Sequence, residues 1–153
     1  MSSNFSVYHF SLVSSTILEQ LSNLDLELSD QPWSQSMWSN ELSTGLAFVS
    51  ICFRGKKLVG FALWKLEPFG ESVDLLKILI GNEFRRQGLG GELFESGVRF
   101  LKPFGPKKVL LDVSVHNNGA LCFYKLLNFS ILVERKAYYS NGDNAFLMEL
   151  NLT

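Results

Sequence analysis

The spacing of apolar residues changes several times along the chain, and each change predicts an element. Residues 5-FSVYHFSL-12 alternate weakly between apolar and polar, as a half-covered strand does. Ile17, Leu18, Leu21 and Leu24 then fall at helical spacing behind Ser14 and Ser15, which are candidate caps. In 31-QPWSQSMWSNEL-42, Ser34 precedes a second short helix. The segments 46-LAFVSICF-53 and 57-KLVGFALWKL-66 are rich in β-branched and aromatic residues and are separated by 54-RGK-56, which predicts a hairpin. Residues 72-SVDLLKILI-80 are apolar on both faces and read as a central strand.

A third helix is predicted from the stripe Leu89, Leu93, Phe94, Gly97, Phe100 and Leu101, with Pro103 ending it. The strand 108-KVLLDVSV-115, the helix 118-NGALCFYKLLN-128 and two strands within 129–152 around the turn 141-NGD-143 complete the series. The order β-α-α-β-β-β-α-β-α-β-β predicts an α/β (mixed, α+β-like) fold with helices on both faces of a mixed sheet.

Composition narrows the function classes. The 153 residues suit a single domain, 1–153, with 46% hydrophobic and 19% charged residues. A formal net charge of −1 argues against a broad nucleic-acid surface but allows a local anion site. Cys52 and Cys122 lack metal-type spacing and read as buried thiols in a reducing compartment. No leader pattern occurs in MSSNFSVYHF, and no apolar run approaches the roughly 18 residues that cross a bilayer. A cytoplasmic protein without a metal is the expectation.

The stretch 84-FRRQGLGGELFESGVRFL-101 runs against folding economy, because glycines weaken a helix and adjacent arginines repel. A helix N-terminus entered from a strand offers unpaired N–H groups and a partial positive charge to phosphate. Glycines let a pyrophosphate approach those groups, and Arg85 and Arg86 add charge-assisted donors. The alternative is a glycine turn that serves only tight strand–helix packing. The dinucleotide pattern G-x-G-x-x-G fails at Leu93, and the P-loop pattern is absent.

The segment 85-RRQGLG-90 resembles the [Q/R]-x-x-G-x-[G/A] signature of the GCN5-related N-acetyltransferases (GNAT). The blocks 32-PWS-34, 85-RRQGLGGELFE-95, 112-DVSVHNNGALCFYKLLNF-129 and 138-YYSNGDNAFLMEL-150 are similar to the RimI type, the ribosomal-protein-alanine N-acetyltransferases. The resemblance implies a GNAT fold: a mostly antiparallel twisted sheet of about seven strands with about four helices. It also implies acetyl-CoA as cosubstrate and a protein N-terminus as acceptor. The favoured acceptor is the alanine of a small-subunit ribosomal protein, with neither nucleic acid nor membrane as partner.

In that resemblance, Ile78, Leu79 and Ile80 lend backbone groups to the pantetheine arm and the thioester carbonyl. Arg85, Arg86, Gln87, Gly88, Leu89, Gly90 and Gly91 hold the pyrophosphate, and Asn117 bonds the pantetheine. Tyr124 matches the general acid for the leaving thiolate; otherwise it is an aromatic on an apolar helix face. Asp112 stands where the RimI type commonly has glutamate, the proposed base, and its shorter reach calls for a bridging water.

Two readings of Asp112 remain open, a base or a carboxylate paired with a neighbouring basic or hydroxyl group. His116, placed on the same strand face, is the reserve base. Trp33, Ser34, Tyr138 and Tyr139 match the acceptor groove, with the two tyrosines expected to face opposite ways in a strand. No cysteine sits where an acyl-enzyme would require one, so the amine attacks the thioester directly. A small-molecule amine acetyltransferase and a non-catalytic CoA-binding module are the rival readings.

Overall fold

The computed structural model describes residues 4–152, so Met1–Ser3, the start of the segment read for a leader, and Thr153 lie outside the described residues. Its strands are β1 (Phe5–Phe10), β2 (Ala47–Arg54), β3 (Lys57–Leu66), β4 (Ser72–Ile80), β5 (Lys108–Ser114), β6 (Ser130–Arg135) and β7 (Ala145–Asn151). Between them lie α1 (Ser15–Leu28), α2 (Gln35–Leu42), α3 (Leu89–Leu101) and α4 (Asn118–Leu126). The element order is the predicted one. The first strand stops at Phe10 rather than Leu12, whose side chain is exposed. The first helix runs on to Leu28, four residues past the apolar stripe.

Local chemistry explains the ends. Ser14 Oγ accepts from Ile17 N–H and Ser34 Oγ from Met37 N–H, each satisfying an orphan donor of a helix start. Gly55 takes φ +61° in the turn that brings Arg54 opposite Lys57. Asn128, just past α4, adopts the left-handed φ of +72° that its place after a helix end requires.

The sheet is ordered β1-β2-β3-β4-β5-β7-β6 and is antiparallel except between β4 and β5. Alternate strand residues feed two cores. Trp64, Val73, Leu75, Val109, Leu111 and Met148 pack with Leu93 and Phe94 of α3 and Leu121 of α4. Val49, Ile51, Phe61 and Leu63 pack on the other side with Leu21 of α1 and Trp38 and Leu42 of α2. Helices therefore cover both faces, and β4 is central, as expected. The pairing of the two cysteines as buried thiols is corrected: Cys52 is buried in the first core, whereas Cys122 is exposed on α4.

Two irregularities shape the middle of the sheet. The β3–β4 register steps from Leu63 opposite Lys77 to Trp64 opposite Leu75, leaving Leu76 as the extra residue of a bulge, which bends and twists its strand. The parallel pairing of β4 with β5 extends only over Ser72–Lys108, Val73–Val109 and Asp74–Leu110, after which the strands separate.

Candidate active site

Where β4 and β5 part, the ladder ends and the facing strand edges lose their partners. The opening is a cavity of about 540 Å³ lined by Leu76–Leu79 on one side and Asp112–Ser114 on the other. Asn117, Ala120 and Tyr124 lie around α4, with Trp33 and Tyr139 farther along the wall. Unpaired backbone along such an edge is suited to an extended ligand arm that supplies the missing hydrogen bonds. Ile80, the third residue assigned to the thioester end, is buried in the first core. Its carbonyl accepts from Arg85 Nε at 2.9 Å.

The glycine turn follows a single 3-10 turn at Asn82–Phe84. Arg86 and Gly88 hold left-handed φ of +61° and +78°, and α3 begins at Leu89 with no side-chain cap. The first N–H groups of α3 are thus open, with the helix dipole behind them. The glycines divide the work. Added side-chain atoms would meet nothing at Gly88 or Gly91, but at Gly90 would stand 3.1 Å from the Phe123 ring. Packing explains Gly90 and backbone conformation explains Gly88; neither explains the bare position 91.

The side chains of the turn differ as sharply. Leu89 is buried in the core, so only its backbone can face a ligand. Arg85 is tied back to β4 and Gln87 Nε2 donates to Glu83 O at 3.4 Å. Arg86 is exposed and forms no ion pair among the described residues. It is the free cation of the turn.

At the other end of the opening, Asn117 Oδ1 caps α4 by accepting from Ala120 N–H at 3.2 Å, which leaves its Nδ2 donors for the cavity. Tyr124 is half-buried and packs edge-on to Phe129, with ring centroids 5.6 Å apart. Burial, and then the neighbouring Tyr139, push its phenol above its ordinary value, so it remains a proton donor throughout the neutral range. The apolar-helix-face reading describes its packing but does not exclude its hydroxyl from the cavity.

Asp112 projects away from the Val109–Leu111–Val113 core, as strand alternation demands. Tyr138 Oη donates to its Oδ2 at 3.1 Å. Arg135 Nε is 3.1 Å from Oδ1, but its N–H is not aimed at that oxygen, which has a Coulombic partner and no hydrogen bond. The carboxylate is therefore paired and still has an unfilled acceptor. The tyrosine expectation is corrected: both lie in the β6–β7 connection, not in a strand, and both come near Asp112. Tyr139 lines the cavity, its phenol pushed up to about 12 by burial, then by the charge of Asp112.

Other expected residues sit at the margin. His116 lies beyond the end of β5, not on Asp112's strand face; it is exposed at the rim, 3.8 Å from Asp143. Ser34 caps α2 and does not line the cavity. Trp33 does line it, packed edge-on against Trp38 at 5.6 Å.

Four charged residues near the site were not found from sequence. Arg135 holds Asp112, and Asp25 with Lys77 forms a buried ion pair at 2.9 Å. Asp74 is pushed up to about 6 by burial, then by Glu67 and Asp112, with Lys65 opposing. Signals existed: Asp25 falls one helical turn after Leu21 on the buried stripe, and Lys77 interrupts an apolar strand.

Residues 16–129 match the Acetyltransferase (GNAT) family, more than half of the chain, and the protein belongs to that family. An N-alpha-acetyltransferase of Saccharolobus solfataricus is 32% identical over 75 residues, 48% of this chain and 45% of the relative. The chain thus spans less than half the length of that archaeal relative. A putative [ribosomal protein bS18]-alanine N-acetyltransferase of Bacillus subtilis is 29% identical over 120 residues, 76% and 78% of the two chains. The crystal structure of the ribosomal-protein-S18-alanine N-acetyltransferase from Escherichia coli shares the fold, with a TM-score of 0.84 at 22% identity over 97% of this chain and 94% of that one.

Proposed function

We propose that residues 1–153 form one acetyltransferase domain that moves the acetyl group of acetyl-CoA to the α-amino group of a protein N-terminus. Among acceptors, the N-terminal alanine of a small-subunit ribosomal protein is favoured by the bacterial relatives' names and by the four sequence blocks shared with the RimI type. The observation that carries the reading is the opening between β4 and β5, lined by a carboxylate and a protonated phenol, together with the bare helix N-terminus of α3 that follows β4 in the chain.

The residues fit that cosubstrate. The open N–H groups of α3 and the free Arg86 suit a pyrophosphate, and the edge at Ile78 and Leu79 with Asn117 suits the amide-bearing arm. Acetyl-CoA supplies an activated thioester; the chain supplies placement and proton transfer. Asp112 takes the ammonium proton through a bridging water. The amine nitrogen bonds to the acetyl carbon as the carbon–sulfur bond breaks; Tyr124 gives its proton to the departing thiolate and regains one as the new amide nitrogen sheds its second proton. Tyr139 and Trp33 wall the acceptor.

The test is release of free CoA thiol with peptides beginning Ala, Ser or Met, an N-acetylated Ala peptide, a polyamine and an aminoglycoside. Turnover on free N-termini that vanishes with the blocked peptide is expected. Activity confined to the small amines, or tight CoA binding without any turnover, would replace this reading with one of its rivals.

A further inference from the structure

Asp25 is a carboxylate with no solvent exposure, yet all its side-chain hydrogen bonds lead out of its own helix. Its Oδ2 accepts from Trp33 N–H at 2.9 Å and from Trp38 Nε1–H at 3.1 Å, and its Oδ1 accepts from Lys77 Nζ at 2.9 Å. Lys77 Nζ also donates to Gln31 O at 3.0 Å and lies 5.2 Å from the centre of the Trp33 ring. The connection between α1 and α2 is thereby tied to β4, immediately after the Leu76 bulge and before Ile78.

Burying an ion pair inside an apolar strand gains less stability than an apolar pair of the same volume, so stability alone is a weak reason for this one. Its placement supplies another. Gln31, Trp33 and Lys77 all line the cavity, on the sheet face to which Asp112 points. The cradle at the start of α3 belongs to the opposite face. We propose that Lys77 is a positioning residue that fixes the α1–α2 wall against β4 and thereby sets affinity for the acceptor rather than for acetyl-CoA. This rests on the acyl-transfer reading above.

The experiment compares the wild type with Lys77→Met, Lys77→Arg and the double variant Asp25→Asn/Lys77→Met, in which no charge is left buried alone. It reads amide exchange at 29–33, acetyl-CoA Kd by calorimetry, and peptide KM and kcat. Lys77→Met is expected to speed exchange at Trp33 and raise peptide KM about tenfold or more, with acetyl-CoA Kd within about twofold. Lys77→Arg, which keeps the charge and donors, is expected to recover most of both. If Lys77→Met does not fold, the double variant is read instead, with the same direction expected. Unchanged exchange, or acetyl-CoA Kd rising in step with peptide KM, overturns the proposal. If the wild type acetylates no amine, the function reading fails, and exchange alone decides whether Lys77 holds the wall.

Discussion

Gly97→Ala sets helix propensity against packing, and the geometry decides the sign. In mid-helix the change should gain about 1 kcal/mol, because alanine loses less backbone entropy than glycine. Against this, the new Cβ would stand 2.5 Å from Cζ2, 2.7 Å from Cε2 and 2.8 Å from Nε1 of Trp64. That ring cannot retreat. It is fully buried, packs on Phe94 with centroids 5.5 Å apart, and donates its indole N–H to Ser50 Oγ at 3.1 Å. Overpacking at such a site costs about 1–3 kcal/mol, and weakening the indole bond about 1 more.

The net expectation is a loss of about 2 kcal/mol, or roughly 4–8 °C in Tm for a chain of this size. Differential scanning calorimetry with urea titration measures it. Gly91→Ala is the control, since its added carbon meets nothing, and it should raise stability by up to about 1 kcal/mol. A Gly97→Ala protein as stable as Gly91→Ala would refute the claim that contact with Trp64 holds α3 at its distance from the sheet.

Three further outcomes are expected. Tyr124→Phe should lower kcat by about a hundredfold or more while acetyl-CoA Kd changes little; equal loss of both would remove Tyr124 from the acid role. The Asp74 carboxyl, pushed up to about 6, is protonated more readily in the folded chain than in the unfolded one. Its stabilising share is full below about pH 4 and lost as pH rises through about 6, so Asp74→Asn should exceed wild-type stability at pH 8, by about 1–2 kcal/mol once the linkage is discounted for solvent screening at a half-buried carboxyl. Urea midpoints should converge for the two proteins near pH 4; a constant gap across pH would contradict the shift. With Ellman's reagent, Cys122 should react in the native protein. Cys52, buried and pushed up to about 11 by burial and then by Glu92, should react only on unfolding.

Periodicity carried most of the fold because each element buries a face that its own sequence displays. Ile17, Leu18, Leu21 and Leu24 reveal the packing stripe of α1, and the alternation in β5 places Asp112 on the face opposite Val113. The glycine turn was legible because its composition conflicts with local stability, a conflict expected at functional sites.

What escaped detection depends on distant partners. Lys77 and Asp25 are 52 positions apart, so nothing local shows that they meet. Arg135 and Asp112 meet only because β7 lies between β5 and β6 in the sheet. The tyrosines lie in a connection that strand alternation does not govern, so their place could not be read from β-strand spacing. Cys122 was placed inside because cysteine is usually buried, while its helix face is decided by where α4 meets the core through Leu121.

The most direct test uses one peptide bearing both a free N-terminal alanine and an internal lysine, incubated with acetyl-CoA and the full chain. Fragmentation mass spectrometry then locates the acetyl group. The account predicts a single product acetylated on the alanine α-nitrogen. Acetyl found on the lysine side chain, or no product while acetyl-CoA binds tightly, would contradict it.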